Sequence, residues 1–500
     1  MSGLGAFGRM TGAVWVLIRN DALLPQELDG LYAPGVRTLA TTLRVLAGAG
    51  ARSGRPGERL ARSLEGMGPV AIKLGQLLST RGDFFGADFA QDMSRLKDRL
   101  PAFPTAVART EVERALGRPI ESLYVEFGAP MAAASLAQAH PAVLHDGRKV
   151  AVKVLRPGIE RRVAQDGESL ALAARLIDRW IPAARRLEPR AFADTVIRAT
   201  QLELDLRLEA AGADELREVM AKDGYMAAPA IVWEGVGKRV LTMEWAAGWP
   251  LSDPAALTQP GLAPQAMADN LIRAFLSQAL DHGVFHADLH EGNLFAAAPD
   301  RLTAVDYGII GRIGQAERRY LAEILWGFLN KDYEGVARTH FAAGYVPAHH
   351  SVAAFAQALR AVGEPVFGRP ASEVPMSRVL MQLFEITALY DMRLRPELVL
   401  LQKTMVTVEG VARRIQPDHD IWTAADPVVR RWMARELAPP ARVRRFAEEA
   451  ATALRNLARL LETRPTVAAR APVRERSAVL WFAIGAVTSG AAFLAALILG

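Results

Sequence analysis

Apolar positions recur at helical spacing from residue 1 to about 110, with breaks at 47 to 57 and at "LPAFP" (100 to 104). Residues 120 to 156 change period. "YVEFGAP", an alanine-rich run and "HPAVLHDGRKVAVKVLRPG" predict strand, loop, strand, a turn at Asp146-Gly147, and strand. Helical spacing returns over 160 to 222, with a break at Ile181-Pro182. "IVWEGVGKRVLTMEW" (231 to 245) reads as two strands joined near Gly235 to Gly237. Another helix covers 262 to 284, "LTAVDYGIIGRI" (302 to 313) reads as a strand and a glycine-bearing loop, and helices dominate from there to about 462.

Two C-terminal segments have patterns of their own. Residues 441 to 464 form an amphipathic helix with Val443, Phe446, Ala450, Leu454, Leu457 and Leu461 in one stripe. It can pack on the domain or lie on an anionic membrane surface. "AVLWFAIGAVTSGAAFLAALIL" (478 to 499) has 22 residues and no charge. At about 1.5 Å per residue it reaches about 33 Å, the thickness of a bilayer core, so it is expected to span a membrane once. Arg470, Arg474 and Arg476 precede it and place the main body on the cytoplasmic side, at a bacterial-type inner membrane. Gly485 with Ser489, and Ala486 with Gly490, lie four apart and can admit a second helix, so a homodimer through the span is one expectation.

Composition narrows the chemistry. The chain has 500 residues, 51% hydrophobic and 23% charged, enough for several domains or one large two-lobed one. A net charge of +6 is mild at this length and gives no reason to expect nucleic acid as a partner. With no cysteine, disulfides, thiolate metal sites and cysteine nucleophiles are excluded.

"FHADLHEGNLF" (285 to 295) concentrates polar chemistry. His286, Asp288 and His290 alternate, and on a strand they would face one way and suit zinc or iron. A different reading comes from 18 residues further on, where Asp306 heads "DYG" after an apolar strand. Asp288 and Asn293 have the H-x-D-x-x-x-x-N spacing of a kinase catalytic loop, and Asp306 stands where the magnesium-binding aspartate follows it. Phosphoryl transfer needs positioning and charge neutralisation, so Asp288 would orient a hydroxyl or water, while Asn293 and Asp306 supply hard oxygens to Mg2+. Such a site also needs a strand lysine for ATP phosphates, and Lys153 in "KVAVKVLRPG" fits. Its acidic partner is sought among Glu203, Asp205 and Glu209; Asp205 and Glu209 would share a helix face and Glu203 would point elsewhere. Upstream, Ala132, Ala133, Ala134 and Ser135 occupy the place of a glycine-rich phosphate loop. Alanine lacks the positive-φ freedom of glycine, so nucleotide would be held there in another manner. Met243 to Trp245, with Glu244 between, would line an adenine pocket.

With these motifs in order, the sequence resembles the UbiB/ADCK family of atypical kinases over residues 60 to 410. The distinguishing motif is K-x-G-Q at Lys73, Gly75 and Gln76, within "MGPVAIKLGQLLSTRGD". The alanine-rich loop, the E-x-D pair Glu203 and Asp205, "HADLHEGN" and "DYG" match as well. Leu289, Glu291, Gly82 and Gly212 depart from the family's usual residues, and none of them is a phosphate or metal ligand. The resemblance implies ATP and Mg2+ as cofactors, ATPase or atypical kinase activity, and support of ubiquinone biosynthesis at a membrane. Partners would be membrane lipid, quinone intermediates and other quinone-biosynthesis enzymes. It also implies that the N-terminal extension folds over the active site and blocks protein substrates. The competing readings are a small-molecule phosphotransferase of the aminoglycoside or choline kinase kind, and a nucleotide-binding pseudokinase scaffold.

The expected fold is α+β and two-lobed, kinase-like, with a helical extension (1–110) carrying the K-x-G-Q motif, a β-containing N-lobe (111–245) and a helical C-lobe (246–440). A juxtamembrane helix and linker (441–477) and a transmembrane helix (478–499) would follow.

Overall fold

The computed structural model describes residues 3–23, 53–79, 100–180, 188–364 and 396–437, with scattered positions between them. Residues 1–434 form one compact unit and 435–500 a second. The expected amphipathic helix at 441–464 and the span at 478–499 lie outside the described residues. Among the described residues no helix is long and apolar enough to cross a membrane.

The N-terminal part contains α1 (Gly3–Arg19), α2 (Pro56–Met67), α3 (Pro69–Leu78) and α4 (Thr105–Leu116). α4 runs unbroken through residue 110, the expected domain edge, and its Val112 is buried in the core of the following sheet. That sheet contains β1 (Tyr124–Phe127), β2 (Ala132–Ala133), β3 (Ala137–Leu144), β4 (Lys149–Leu155) and, after three helices, β5 (Val240–Glu244). Its order is β1-β3-β4-β5, with β2 paired to β3, and all pairs are antiparallel. The β3–β4 turn closes at Gly147, whose φ of 83° suits glycine, and Asp146 accepts the Arg148 N–H.

Strand alternation divides β4 between two cores. Val150, Val152 and Val154 are fully buried on the side of Val112, Ile120 and Tyr124. Ala151 and Leu155 belong to the other core, with Val70, Ile159, Val196, Leu206 and Leu241. Apart from Leu241 of β5, these come from α3, α5 (Ile159–Trp180), α6 (Pro189–Leu202) and α7 (Leu206–Asp223). Each buried valine contributes about 1.5–3 kcal/mol relative to exposure, so a one-residue slip of β4 is strongly opposed. The register puts Lys153 on the α7 side, opposite Ala139 of β3 and Leu241 of β5.

Two local expectations change. The segment 231–245 is not a pair of strands: Ile231 makes an isolated bridge to Met243, Trp233–Gly235 is a 3-10 turn, and only β5 is regular. The helical run at 160–222 breaks at 203–205 as well as after Trp180, because Glu203 ends α6 and Asp205 caps α7.

The remainder is built on α8 (Pro264–Ser277), which runs through a single π turn at Gln278–His282 into β7 (Val284–His286). β6 (Trp249–Pro250), β8 (Leu294–Ala297) and β9 (Arg301–Ala304) form a small sheet, while β10 (Ile310–Arg312) pairs with β7. Then come α9 (Gln315–Leu329), α10 (Tyr333–Ala342), α11 (Val352–Gly363), α12 (Pro396–Ile415) and α13 (Ile421–Leu437). One core joins α8, both small sheets, α12 and α13 through Leu271, Phe275, Phe285, Leu294, Val408 and Val428. The fold is thus α+β and kinase-like.

Candidate active site

Lys153 is the centre of the charge arrangement. Its ammonium donates to both carboxylate oxygens of Glu209, at 2.7 and 2.9 Å, and to Asp306 Oδ1 at 3.2 Å. Burial alone would push the amine down, but Asp306 and Glu209 outweigh it and hold the amine above its usual range. The same lysine holds the Asp306 carboxyl down at about 2. Glu209 sits above the usual carboxylate range, because its burial outweighs the attraction of Lys153.

The choice among three acidic residues is therefore Glu209. The expectation that Asp205 and Glu209 share a helix face fails, because the helix starts at Leu206, between the two. Asp205 is the N-cap of α7: it accepts the Arg207 N–H and pairs with the Arg207 guanidinium. Glu203 ends α6 and takes the Lys73 ammonium. Lys73 lies on α3, so the K-x-G-Q helix reaches the acidic wall beside Lys153. Gly75, on the same helix, permits close packing: a Cβ there would sit 2.2 Å from Leu96 Cδ1. Gln76 lines the cavity described below.

The loop after β7 does not continue as a strand, so His286, Asp288 and His290 are not three ligands on one edge. Instead His286, fully buried, accepts the Asp288 N–H on Nδ1 at 3.1 Å, and its ring lies 5.0 Å from that of Tyr307. Burial lowers the pKa of His286, consistent with a neutral acceptor ring. His290 accepts the Gly292 N–H. Asn293 Nδ2 donates to Asp288 O at 3.0 Å and reaches Asp288 Oδ2 at 3.5 Å, so its amide oxygen is the atom left for a cation. Val305 N donates to Asn293 O at 2.9 Å, which brings Asp306 beside the catalytic-type loop across the β8–β9 hairpin. Asp306 has a φ of 64°, a left-handed conformation rare for a non-glycine residue. Asp306 and Asn293 are hard oxygen donors, and an ionised Asp306 suits Mg2+.

The alanine run is a hairpin rather than an open loop. Ala132 and Ala133 pair with Ala139 and Gln138, the Ala134 N–H donates to Ala137 O at 2.8 Å, and Ser135 is buried. Its backbone donors are thus partly committed before any phosphate arrives. Glu244 ends β5, and its carboxylate accepts from Arg148 at 3.0 Å, so its side chain faces that arginine. Its N–H donates to Ala230 O.

A cavity of about 1060 Å³ opens between α3, α6, α7, the Tyr307–Ile310 loop and α12. Glu203 and Glu209 form its acidic wall, Lys73 and Lys403 its basic one, and Leu202 and Leu208, both exposed, lie at its apolar side. α12 was not legible as part of the site. Thr404 Oγ1 lies 2.8 Å from Leu400 O in its own helix and 3.2 Å from Ala287 O, and Arg414 pairs with Glu291, so α12 contacts the loop on both sides of Asp288. The available signal was charge inside an apolar helix, "LQKTMVTVEGVARR", where Glu409 is only 2% exposed. Elsewhere, His349, His350 and Asp391 bring ligand atoms within 4.8 Å of one another near the surface.

The family model "ABC1 atypical kinase-like domain" matches residues 95–340, and "UbiB helical domain" matches 359–420. A Marinobacter nauticus protein named "Probable protein kinase UbiB" is 39% identical over 388 residues, 77% of this chain and 71% of that protein. A Xylella fastidiosa protein of the same name is 36% identical over 435 residues, 86% of this chain and 78% of that one. A Mycobacterium tuberculosis protein solved in complex with erythromycin shares the fold, at 22% identity and a TM-score of 0.50 over 73% of this chain and 93% of that one. With a kinase-type lysine–aspartate–asparagine arrangement, both family models and relatives matched over more than two thirds of their length, the chain belongs to the UbiB family of atypical kinases.

Proposed function

We propose that this cleft uses Mg-ATP in an atypical kinase or ATPase reaction that supports ubiquinone biosynthesis at a membrane. The observation that carries the reading is the double hold on Lys153 by Glu209 and Asp306, with Asn293 tied to Asp288 one hairpin away. Lys153 is placed to meet the α- and β-phosphates. Asp306 and Asn293 would hold the magnesium ion, which neutralises phosphate charge. Asp288 orients the acceptor hydroxyl or water and takes its proton. His286 and Tyr307 stiffen the two loops that carry these groups.

In this reading the alanine hairpin (Ala132, Ala133, Ala134, Ser135) roofs the nucleotide, and β5 reaches the adenine through main chain at Glu244. α3 closes the cleft to polypeptides through Lys73, Gly75 and Gln76; the Lys73–Glu203 pair supports that role. The uncharged segment 478–499 supports a single span, with the catalytic body on the cytoplasmic side of a bacterial inner membrane and a helix face suited to a second copy. The substrates are then lipid quinone intermediates, acted on or made accessible to other biosynthetic enzymes.

The test is magnesium-dependent ATP hydrolysis by the purified full chain, with and without anionic vesicles and a phenolic quinone-precursor mimic, beside Asp288→Asn. Lipid-stimulated turnover that the variant loses is expected. Nucleotide binding without turnover in any condition would favour a scaffold, and turnover that depends on a soluble alcohol alone would favour a small-molecule kinase.

A further inference from the structure

The connection between α10 and α11 carries two adjacent histidines that converge on one carboxylate. His349 Nε2 lies 3.8 Å and His350 Nε2 3.4 Å from the same oxygen, Asp391 Oδ2. All three ligand atoms lie within 4.8 Å of one another. Asp391 is 41 residues along the chain from His350, so tertiary packing makes this meeting and local sequence does not. Both sides are held in place. The His350 N–H donates to Pro347 O, and Ser351 caps α11 by accepting the Ala354 N–H. The His350 ring lies 5.1 Å from that of Tyr390, which is buried against Phe355. Tyr390 N donates to Ile386 O, and Asp391 then takes a φ of 47°, left-handed backbone that is uncommon outside glycine.

A surface ion pair explains little of this. Such a pair contributes about 0–1 kcal/mol and needs one ring. A good hydrogen bond from a ring nitrogen to oxygen is about 2.7–3.2 Å long. Here two rings, their centroids 4.1 Å apart, reach one oxygen from beyond that range. The separations suit a metal polyhedron instead. Zinc holds imidazole nitrogen and carboxylate oxygen at about 2.0–2.1 Å, which makes the edge of its ligand tetrahedron ~3.4 Å. An octahedral edge at the same bond length is ~3.0 Å, shorter than both observed separations. Two nitrogens and one oxygen also favour zinc over magnesium or calcium.

We propose that His349, His350 and Asp391 hold a zinc-class divalent ion that clamps the α10–α11 connection to the turn ahead of α12. Each imidazole gives its Nε2 lone pair and keeps its proton on Nδ1, and Asp391 gives Oδ2. His349 and Asp391 are exposed, so the fourth corner of the tetrahedron is open to water. The ion takes no part in phosphoryl transfer, and the proposal stands independently of the Mg-ATP reading. Its effect is to join two parts of the fold that are distant in sequence and so to stabilise the native chain.

The experiment strips the full chain in detergent with a chelator, moves it into excess magnesium, which occupies hard-oxygen sites, and titrates it with Co2+ and then Zn2+. The parent should bind one Co2+ with the intense visible bands of four-coordinate cobalt, and Zn2+ should abolish them. Zinc should also raise the parent's Tm. His349→Ala removes a side chain that is 66% exposed, and Asp391→Asn keeps a residue type that tolerates left-handed backbone. Each should weaken zinc by at least about tenfold and lose the zinc-dependent rise in Tm. Thermal unfolding without metal checks that both variants fold. Asp306→Asn should leave the cobalt bands unchanged. A weak six-coordinate spectrum in the parent, bands that survive both His349→Ala and Asp391→Asn, or bands that vanish in Asp306→Asn would each overturn the proposal.

Discussion

Asp306 concentrates the residue-scale physics: a left-handed backbone, a carboxylate held at about 2, and a lysine at 3.2 Å. Its ordinary value is 3.8, so the folded state holds its proton less tightly than the unfolded chain does. The resulting stability is fully present above that value and is lost as pH falls through about 2. Denaturant melts between neutral pH and pH ~2 should therefore show an acid limb that Asp306→Asn flattens. An unchanged limb would mean that Lys153 does not hold Asp306 in solution. Lys153→Met should cost about 3–5 kcal/mol, because it leaves the 8%-exposed Glu209 carboxylate unpaired. Adding Glu209→Met should recover much of that loss in a double-mutant cycle. The grouping of Lys153, Asp288, Asn293 and Asp306 was legible in the sequence, since the spacing of the three loop residues and the setting of Lys153 in an apolar strand both mark it. The partner of Lys153 was not, because the answer depends on where the helix breaks between Glu203 and Asp205. That break follows from Asp205 capping the next helix, which spacing alone does not disclose.

At the scale of elements, β7 and β10 meet with almost no room. Gly311 pairs with Phe285, and a Cβ on Gly311 would lie 2.1 Å from the buried ring. Gly311→Ala should therefore destabilise the protein by about 1–3 kcal/mol, seen as a lowered Tm, although alanine is the better strand former. A Tm at or above that of the parent would show that Phe285 can move aside. Gly212 on α7 is a second close approach, facing Ile310 Cδ1 at 2.2 Å from a would-be Cβ. Thr404→Val keeps the shape of α12 and removes the hydroxyl shared between Leu400 O and Ala287 O, so it should cost about 1 kcal/mol and lower turnover by loosening the loop at Asp288. Normal turnover in that variant would mean that α12 only supports the core. The strands on either side of the Asp146-Gly147 turn and most helices were readable from their period. The 231–245 segment was not, because its first half pairs through one bridge and then turns, so its apolar alternation has no strand beneath it.

On the scale of the whole molecule, four separate stretches of chain converge on one cleft. α3 brings Lys73 from the N-terminal extension, β4 and α7 bring Lys153 and Glu209, and α12 brings Lys403 and Thr404 from more than 100 residues beyond Asp288. The mixed helix and sheet content was legible because strand-rich and helix-rich periods are well separated along the chain. The part played by α12 was not, since long-range docking leaves no local periodic signal. The most direct measurement is calorimetric titration of the parent chain with ATP, with and without magnesium, beside Asp306→Asn. Magnesium-dependent binding that the Asp306→Asn variant loses, while its fold remains intact at neutral pH, is the predicted result. Binding that ignores both magnesium and the substitution, or no binding at all, would contradict a phosphoryl-transfer site built on Lys153, Asn293 and Asp306.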